Sequence, residues 1–333
     1  MKKIIYLPLL VFLGVLLSPL LSESSQLASF DIEAHRGGRD RRPENTLAAF
    51  RYAIGLGVTT LELDTAVTRD RVVVVSHNPK LNYAITRDEM GKFIDRYRNI
   101  FIKDLTFEEL EKYDVGQLNP ASSYYYKHRE QKPVPGERIP SLAEVFELTE
   151  EMHADNIRFN IEIKTYPPFP GYTIPRDEFV RLVIDVIEKY GMEGRVMIQS
   201  FDWNSLALVR KYAPKIPLGC LMVSSFHIGG KPYNLQPGLP GPSPWLAGLD
   251  YDDYRGHVSR LVKAFGGDVI SPYYRDIRKD DVAEAHSLGL KMVVWTVDSR
   301  EAMIRLISWG VDGIITDKPD LLLEVVNWYR KKK

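Results

Sequence analysis

Apolar residues along this chain form short continuous runs that alternate with amphipathic segments of helical period. Runs such as "VMIQS" at 196–200 and "KMVVWTV" at 291–297 are apolar over most of their length, as is typical of strands in sheets that are covered on both faces. This pattern predicts strands at 30–35, 60–67, 72–76, 158–163, 196–200, 217–223, 268–272, 291–297 and 313–316. Helical periodicity predicts helices at 46–56, 142–153, 176–190, 203–213, 279–288, 299–309 and 319–331. Strands that alternate with helices in this way indicate parallel βαβ units.

The predicted strands exceed by one the number that an eight-stranded barrel needs. The turn "TRDR" at 68–71 is too short for a crossover helix, so we predict an antiparallel hairpin between 60–67 and 72–76. The other strands then predict an α/β fold, a (β/α)8 TIM-type barrel over 30–333 with an insertion after this hairpin. The insertion covers about 78–140, and a second excursion covers about 224–256. Both follow strands, which places them on the face where barrel enzymes carry their active sites.

The first residues differ from the rest of the chain. Lys2 and Lys3 precede an apolar run over 4–21, and small serines follow at Ser22 and Ser24. This order predicts a secretory signal peptide over 1–24 and export to a periplasm or to the outside medium. The alternative is an N-terminal membrane anchor, because the apolar run nearly reaches the length that spans a bilayer.

Charge and cysteine content exclude several classes of protein. Lysine plus arginine and aspartate plus glutamate both total 44, so the chain has no net field that would favour nucleic acid as a partner. Cys220 is the only cysteine, which excludes an intramolecular disulfide and a zinc site built from several cysteines.

Acidic side chains stand at neighbouring positions in two predicted strands. Glu62 and Asp64 lie two residues apart, as do Glu162 and Lys164, so the members of each pair share one strand face. Buried carboxylates that converge on one barrel mouth repel each other unless a cation compensates them. An all-oxygen ligand set favours Ca²⁺ or Mg²⁺ over zinc.

Two histidines end strands near these acids. His35 ends the first strand and His77 ends the hairpin strand, and paired histidines suit general base and general acid roles near neutral pH. Arg36 and Lys164 are cations that suit an anionic substrate such as a phosphate ester. The combination predicts metal-assisted phosphoryl transfer.

The same motifs, in this order and spacing, resemble the glycerophosphodiester phosphodiesterase family and in particular its bacterial exported members. The resemblance runs from about Phe30 to Asp320 and rests on "HRG" at 35–37, "ENT" at 44–46, "ELD" at 62–64, His77, "IEIK" at 161–164, "WTVDS" at 295–299 and "GVDGIITDKPD" at 310–320. It implies a barrel hydrolase that cleaves glycerophosphodiesters into sn-glycerol 3-phosphate and an alcohol. Attack by the glycerol 2-hydroxyl, through a cyclic phosphate, and direct attack by water both stay open.

The resemblance also implies a role for each site residue. Glu62, Asp64 and Glu162 would bind one divalent cation, Ca²⁺ or Mg²⁺. His35 and His77 would transfer protons, and Arg36 and Lys164 would bind the phosphate. The remaining expected substrate-binding residues are Glu44, Asn45 and Trp295.

Several of these residues have a simpler alternative role. Glu44 and Asn45 could merely begin a helix, and Thr46 is a good N-cap. Trp295 could belong to the core rather than to a glycerol pocket.

Two positions depart from the expected pattern. Asn78 follows His77 where the family often has aspartate. Glu33 shares a strand face with His35, and it would either raise the basicity of His35 or be turned outward by strand twist.

Two other functions fit the same residues. The aromatic excursions suit a lipid-acting relative of the lysophospholipase D or sphingomyelinase D type, which leaves peripheral contact with a membrane open. The other alternative is a catalytically silent barrel that binds phosphodiesters, although the intact His35 and His77 argue against it.

Overall fold

A computed structural model describes residues 29–228 and 230–332, so the predicted signal peptide lies outside the described residues. The strands are β1 Asp31–Ala34, β2 Thr60–Val67, β3 Val73–Val75, β4 Arg158–Ile163, β5 Val196–Ser200, β6 Leu218–Met222, β7 His227–Ile228, β8 Lys231–Pro232, β9 Val269–Pro272, β10 Lys291–Val294 and β11 Gly313–Thr316. The α-helices are α1 Leu47–Leu56, α2 Phe107–Leu110, α3 Ser123–Lys127, α4 Leu142–Glu151, α5 Arg176–Lys189, α6 Trp203–Tyr212, α7 Val258–Phe265, α8 Lys279–Ser287, α9 Arg300–Trp309 and α10 Pro319–Lys331. Each predicted barrel strand and helix has a counterpart in these elements.

Eight parallel strands close into a barrel in the order β1, β2, β4, β5, β6, β9, β10 and β11, and β1 pairs with both β2 and β11. β3 pairs antiparallel with β2, as the short turn between them predicts. The predicted TIM-type barrel is therefore confirmed. Closure brings the ends of β1 and β11 together, with Ala34 beside Thr316.

Alternate residues of each barrel strand face either the helices or the barrel interior. The main hydrophobic core lies between strands and helices and includes Ile32, Leu61, Ile161, Ile198 and Ile314. The interior has two different halves. The polar half contains buried Glu33, Glu62, Asn160, Glu162 and Gln199, and the apolar half contains Val269, Val293 and Ile315. The interior carboxylates Glu33, Glu62 and Glu162 therefore lie on one side of the barrel.

Helices α3 and α7 and strands β7 and β8 go beyond the predicted elements. Helix α7 provides the crossover between β6 and β9 and is amphipathic, but its 8 residues are fewer than the window of about 11–18 residues over which helical periodicity is recognised. The excursion before it contains the antiparallel pair of β7 and β8. Among the described residues, no helix combines the length and the apolar character that a membrane span requires.

Candidate active site

The loop after β1 begins the site. The chain turns at Arg36, whose φ is 52°, and at Gly37, whose φ is 79°. A Cβ at position 37 would lie 2.6 Å from the Ala49 Cβ, so only glycine allows this loop to pack against helix α1. The turn directs the Arg36 backbone N–H toward Glu62, where it donates a 2.9 Å hydrogen bond to Oε2.

Glu62, Asp64 and Glu162 converge at the carboxyl ends of two neighbouring strands. Parallel pairing of β2 with β4 places Asp64 beside Glu162. One carboxylate oxygen of each residue lies within 4.8 Å of those of the other two, and all three side chains are buried. Three oxygen donors at this spacing fit a hard divalent cation such as Ca²⁺ or Mg²⁺.

The protonation equilibria of these acids reflect their crowding. Burial, followed by repulsion from Asp64 and Glu162, raises the pKa of Glu62 well above its usual value. Burial also raises the pKa of Glu162 to about 7, although Lys164 opposes this shift. Burial raises the pKa of Asp64 too, but the charge of Lys164 and then those of His77 and Arg36 outweigh it, so that pKa lies well below its usual value. A bound cation would relieve the repulsion.

Both predicted phosphate-binding cations contact these acids. Lys164 Nζ lies 3.2 Å from Asp64 Oδ1 and 2.9 Å from Glu162 Oε1. Arg36 Nη1 donates to Glu44 Oε1 at 2.9 Å, and its Nε lies 3.3 Å from Asp64 Oδ2. The structure therefore places both cations beside the acids.

Glu44 and Asn45 also belong to this network, whereas Thr46 has the capping role. Asn45 Nδ2 donates to Asp64 Oδ2 at 2.9 Å. Thr46 is the N-cap of α1 and accepts from the Ala49 N–H. Glu44 and Asn45 therefore position Arg36 and Asp64.

His35 has a defined hydrogen-bond partner. Its Nδ1 lies 2.5 Å from Asp317 Oδ1, and its Nε2 lies 4.0 Å from Glu62 Oε2. An ionised carboxylate only accepts hydrogen bonds, so Nδ1 carries the proton and Nε2 keeps its lone pair facing the site. Burial lowers the pKa of His35 to about 4, although Asp317 raises it, and Arg39 lowers it further. The imidazole is therefore neutral around pH 7.

His77 occupies the end of the hairpin strand. Its Nδ1 lies 3.3 Å from Asn78 Oδ1, so Nδ1–H donates a hydrogen bond to the carbonyl of the asparagine at this unusual position. Burial lowers the pKa of His77 well below its usual value, and Arg36 and Lys164 lower it further.

Most of these groups line one cavity of about 1030 Å³ at the carboxyl ends of the barrel strands, whereas Asp64, Glu44 and Asn45 do not line it. The predicted site residues that line it are His35, Arg36, Glu62, His77, Glu162, Lys164 and Trp295. Aromatic side chains form much of the remaining wall, among them Tyr166, Phe201, Phe226, Tyr233, Tyr273 and Tyr274. Trp295 lines the cavity and packs against other rings of its wall, and its role in substrate binding stays a prediction.

Four residues of the site were not assigned a role there from the sequence. Asp317 also accepts from Arg39 Nε at 2.9 Å, and Arg39 Nη1 donates to the Tyr124 hydroxyl at 3.0 Å. Tyr124 belongs to helix α3 of the insertion, and its hydroxyl donates to Glu44. Gln199 Nε2 donates to Glu62 Oε1 at 2.9 Å. Of these four residues, only Asp317 stands at a position that marks a candidate site residue, because it directly follows the predicted strand 313–316.

Comparison with known proteins gives a consistent result. The sequence model of the glycerophosphoryl diester phosphodiesterase family matches residues 35–321. A glycerophosphodiester phosphodiesterase of Caldanaerobacter subterraneus is 35% identical over 296 residues, which is 88% of this chain and 96% of that protein.

Solved structures share the fold. A Silicibacter pomeroyi protein described as a candidate glycerophosphoryl diester phosphodiesterase is 31% identical, with a TM-score of 0.79 over 92% of this chain and 98% of that chain. An Oleispira antarctica phosphodiesterase, solved in complex with the product sn-glycerol-3-phosphate, is 18% identical, with a TM-score of 0.65 over 91% of this chain and 99% of that chain.

Proposed function

This chain belongs to the glycerophosphoryl diester phosphodiesterase family, and from that premise we propose that it hydrolyses glycerophosphodiesters to sn-glycerol 3-phosphate and an alcohol with the help of a bound divalent cation. The observation that carries the proposal is a cluster of three carboxylates, two of which line the same cavity as the two histidines. Glu62, Asp64 and Glu162 would hold the cation.

The charged residues account for substrate binding. When bound, a divalent cation would offset the carboxylate charge and polarise a phosphoryl oxygen. Arg36 and Lys164, which now contact Asp64 and the neighbouring acids, could then direct N–H groups at the remaining phosphate oxygens.

The two histidines account for proton transfer. His35 Nε2 accepts the proton of the attacking hydroxyl, because Nδ1 is held as a donor by Asp317. The bond from phosphorus to the leaving oxygen breaks, and His77 in its protonated form gives that oxygen a proton. A bound phosphate would raise the pKa of His77 against the effects of burial, Arg36 and Lys164. The attacking hydroxyl is either that of water or the 2-hydroxyl of the glycerol moiety.

A direct assay tests this function. The purified protein is freed of metal by chelation and then incubated with glycerophosphocholine or glycerophosphoethanolamine, with or without added Ca²⁺ or Mg²⁺. Coupled detection of sn-glycerol 3-phosphate should report turnover only with the cation. Turnover in a verified metal-free sample would contradict the cation requirement, and phosphodiester binding without turnover would support a silent barrel.

A second candidate function, hydrolysis of phosphodiesters that carry an acyl chain, is favoured by exposed aromatic residues around the cavity. Phe169 is 42% exposed and stacks on Tyr172, which packs against Tyr166 of the cavity wall. Phe226 is 44% exposed and packs against Tyr273 and Trp295. Rings that run from a polar site to the surface suit an apolar chain and contact with a lipid surface.

Lipid substrates distinguish the two candidates. If the aromatic residues bind an acyl chain, Phe226→Ser and Phe169→Ser should lower kcat/KM for lysophosphatidylcholine and leave that for glycerophosphocholine unchanged. Met90→Ser is the matched control, because Met90 is 79% exposed and does not line the cavity. Sphingomyelin tests the sphingomyelinase D type in the same way. Equal losses on soluble and lipid substrates would exclude an acyl-chain role.

Export remains a proposal that rests on residues 1–24. The basic start, the apolar run and the small residues after it support cleavage after Ser24. Mass spectrometry of the native protein should find an N-terminus near residue 25. An intact Met1 on protein that sediments with membranes would support the anchor instead.

A further inference from the structure

A chain of hydrogen bonds crosses the barrel interior from Glu33 to the cation ligand Glu62. Asn160 Nδ2 donates to Glu33 Oε2 at 2.7 Å and to Gln199 Oε1 at 3.1 Å. Gln199 Nε2 in turn donates to Glu62 Oε1 at 2.9 Å. Glu33 thus points into the barrel, where it contacts Asn160, while Asp317 is the partner of His35. Glu33 therefore neither contacts His35 to raise its basicity nor is turned outward by strand twist, the two roles expected from the sequence.

Two buried atoms of this hydrogen-bond network, Glu33 Oε1 and Asn160 Oδ1, have no hydrogen-bond partner among the described residues. Asn160 Oδ1 is an acceptor, and Glu33 Oε1 is one as long as Glu33 is ionised. A buried acceptor without a donor costs about 1–3 kcal/mol. Because Asn160 Nδ2 already donates to Glu33 Oε2, a proton on Oε1 would remove both deficits by donating to Asn160 Oδ1. The acid and the amide would then form a ring with two hydrogen bonds.

The surroundings of Glu33 favour the protonated form. Burial, and after it the negative charge of Asp31 on the same strand, raises the pKa of Glu33 well above its usual value, while Arg158 of β4 opposes this shift. Glu33 also lines a second cavity, at the amino ends of the barrel strands. Lys291 of β10 and Asp312 before β11 line this cavity too, and their charges are opposite.

We propose that Glu33 is a protonated positioning residue, which pairs with Asn160 and through Gln199 holds the Glu62 carboxylate in the orientation that binds the cation. This role rests on the proposed function, since it concerns the cation site of that reaction. The donor and the acceptor of each hydrogen bond in this network are fixed. Asn160 uses one N–H for the acid and the other for the Gln199 carbonyl, so Gln199 must present its own N–H to Glu62. Groups that orient a metal ligand in this way change metal affinity by about 10–100-fold when they are removed.

Glu33→Gln separates this proposal from its alternatives. A glutamine amide can make the same two hydrogen bonds with Asn160 as a protonated carboxyl, so the variant should bind Ca²⁺ and Mg²⁺ as the wild type does. Glu33→Leu removes both bonds and should weaken cation affinity about tenfold or more, and Gln199→Leu should do the same. Isothermal titration with each cation alone measures these affinities in the full chain, without substrate.

An infrared difference spectrum between wild type and Glu33→Gln at pH 8 provides a second measurement. The other buried carboxyls are common to both proteins, so a protonated-carboxyl carbonyl band present only in the wild type belongs to Glu33. If Glu33→Leu does not fold, Gln199→Leu and the infrared spectrum still test the proposal.

The outcomes that overturn the proposal are distinct. A loss of affinity in Glu33→Gln as large as that in Glu33→Leu would mean that an ionised Glu33 is needed. Wild-type affinity in Gln199→Leu would mean that the chain does not orient Glu62. Failure of glycerophosphodiester hydrolysis in the wild type would overturn the proposed function alone, because the titrations and the spectrum do not depend on turnover.

Discussion

The role of Asp317 gives the sharpest prediction about the reaction. In Asp317→Asn the partner of His35 Nδ1 becomes an amide, which can donate to Nδ1 as well as accept from it. Donation would place the imidazole proton on Nε2, and His35 could no longer accept a proton from the attacking hydroxyl. The Asp317 side chain is only 2% exposed and lies 2.5 Å from His35 Nδ1, so water cannot easily replace it.

The expected magnitude follows from the loss of one general base. We expect kcat to fall by about 10²–10⁴-fold, the usual contribution of such a group. KM should change far less, because the substitution leaves Arg36 and Lys164, the proposed phosphate-binding residues, in place.

The pH profile supplies an independent readout. The Asp317 carboxylate raises the pKa of His35 against the effects of burial and Arg39. Without that charge the pKa falls further below its value of about 4, so the acidic limb of the kcat/KM profile should move to lower pH.

A second histidine–aspartate pair, His286 and Asp312, lies at the other end of β11 and provides the control. Asp312 Oδ2 lies 2.9 Å from His286 Nε2, outside the catalytic cavity, so Asp312→Asn and His286→Ala should leave kcat and the pH profile unchanged. If Asp317→Asn is correctly folded and retains most of its activity, the assignment of His35 as a base oriented by Asp317 is wrong.

Three further predictions concern the remaining groups. His77→Ala should lower kcat by about 10²–10⁴-fold. The double variant with His35→Ala should lose much less activity than the product of the two single losses. Near-normal turnover in His77→Ala would show that His77 is not the general acid. Glu162→Gln should weaken Ca²⁺ binding in isothermal titration without loss of fold, and an unchanged affinity would exclude Glu162 as a ligand. Burial, then repulsion from Asp317, raises the pKa of Asp298 to about 7, so ionisation of Asp298 destabilises the fold as pH rises from about 4 to 7. Asp298→Asn should therefore raise Tm at pH 8, and the gain should shrink as pH falls toward 4; an equal gain at both pH values would refute this origin.

The barrel and many of its site residues could be predicted from the sequence, because these features depend on local backbone geometry. In a strand, residues two apart share a face, so "ELD" placed Glu62 and Asp64 together without any knowledge of the rest of the fold. Thr46 was recognisable as an N-cap because capping depends only on the next turn of the helix. Continuous apolar strands that alternate with helices were sufficient for the fold class.

Partners across the barrel were decided only by the tertiary structure. Asp317 reaches His35 because closure pairs β1 with β11, although 282 positions separate the two residues. The side chain of Gln199 contacts Glu62 through the register of β5 against β4, and the same packing turns Glu33 toward Asn160. Strand periodicity constrains which face a side chain occupies, but its partner depends on the register of every strand in the closed barrel. That register is set by the whole chain, which is why the orientation of the catalytic groups could not be predicted from any single segment.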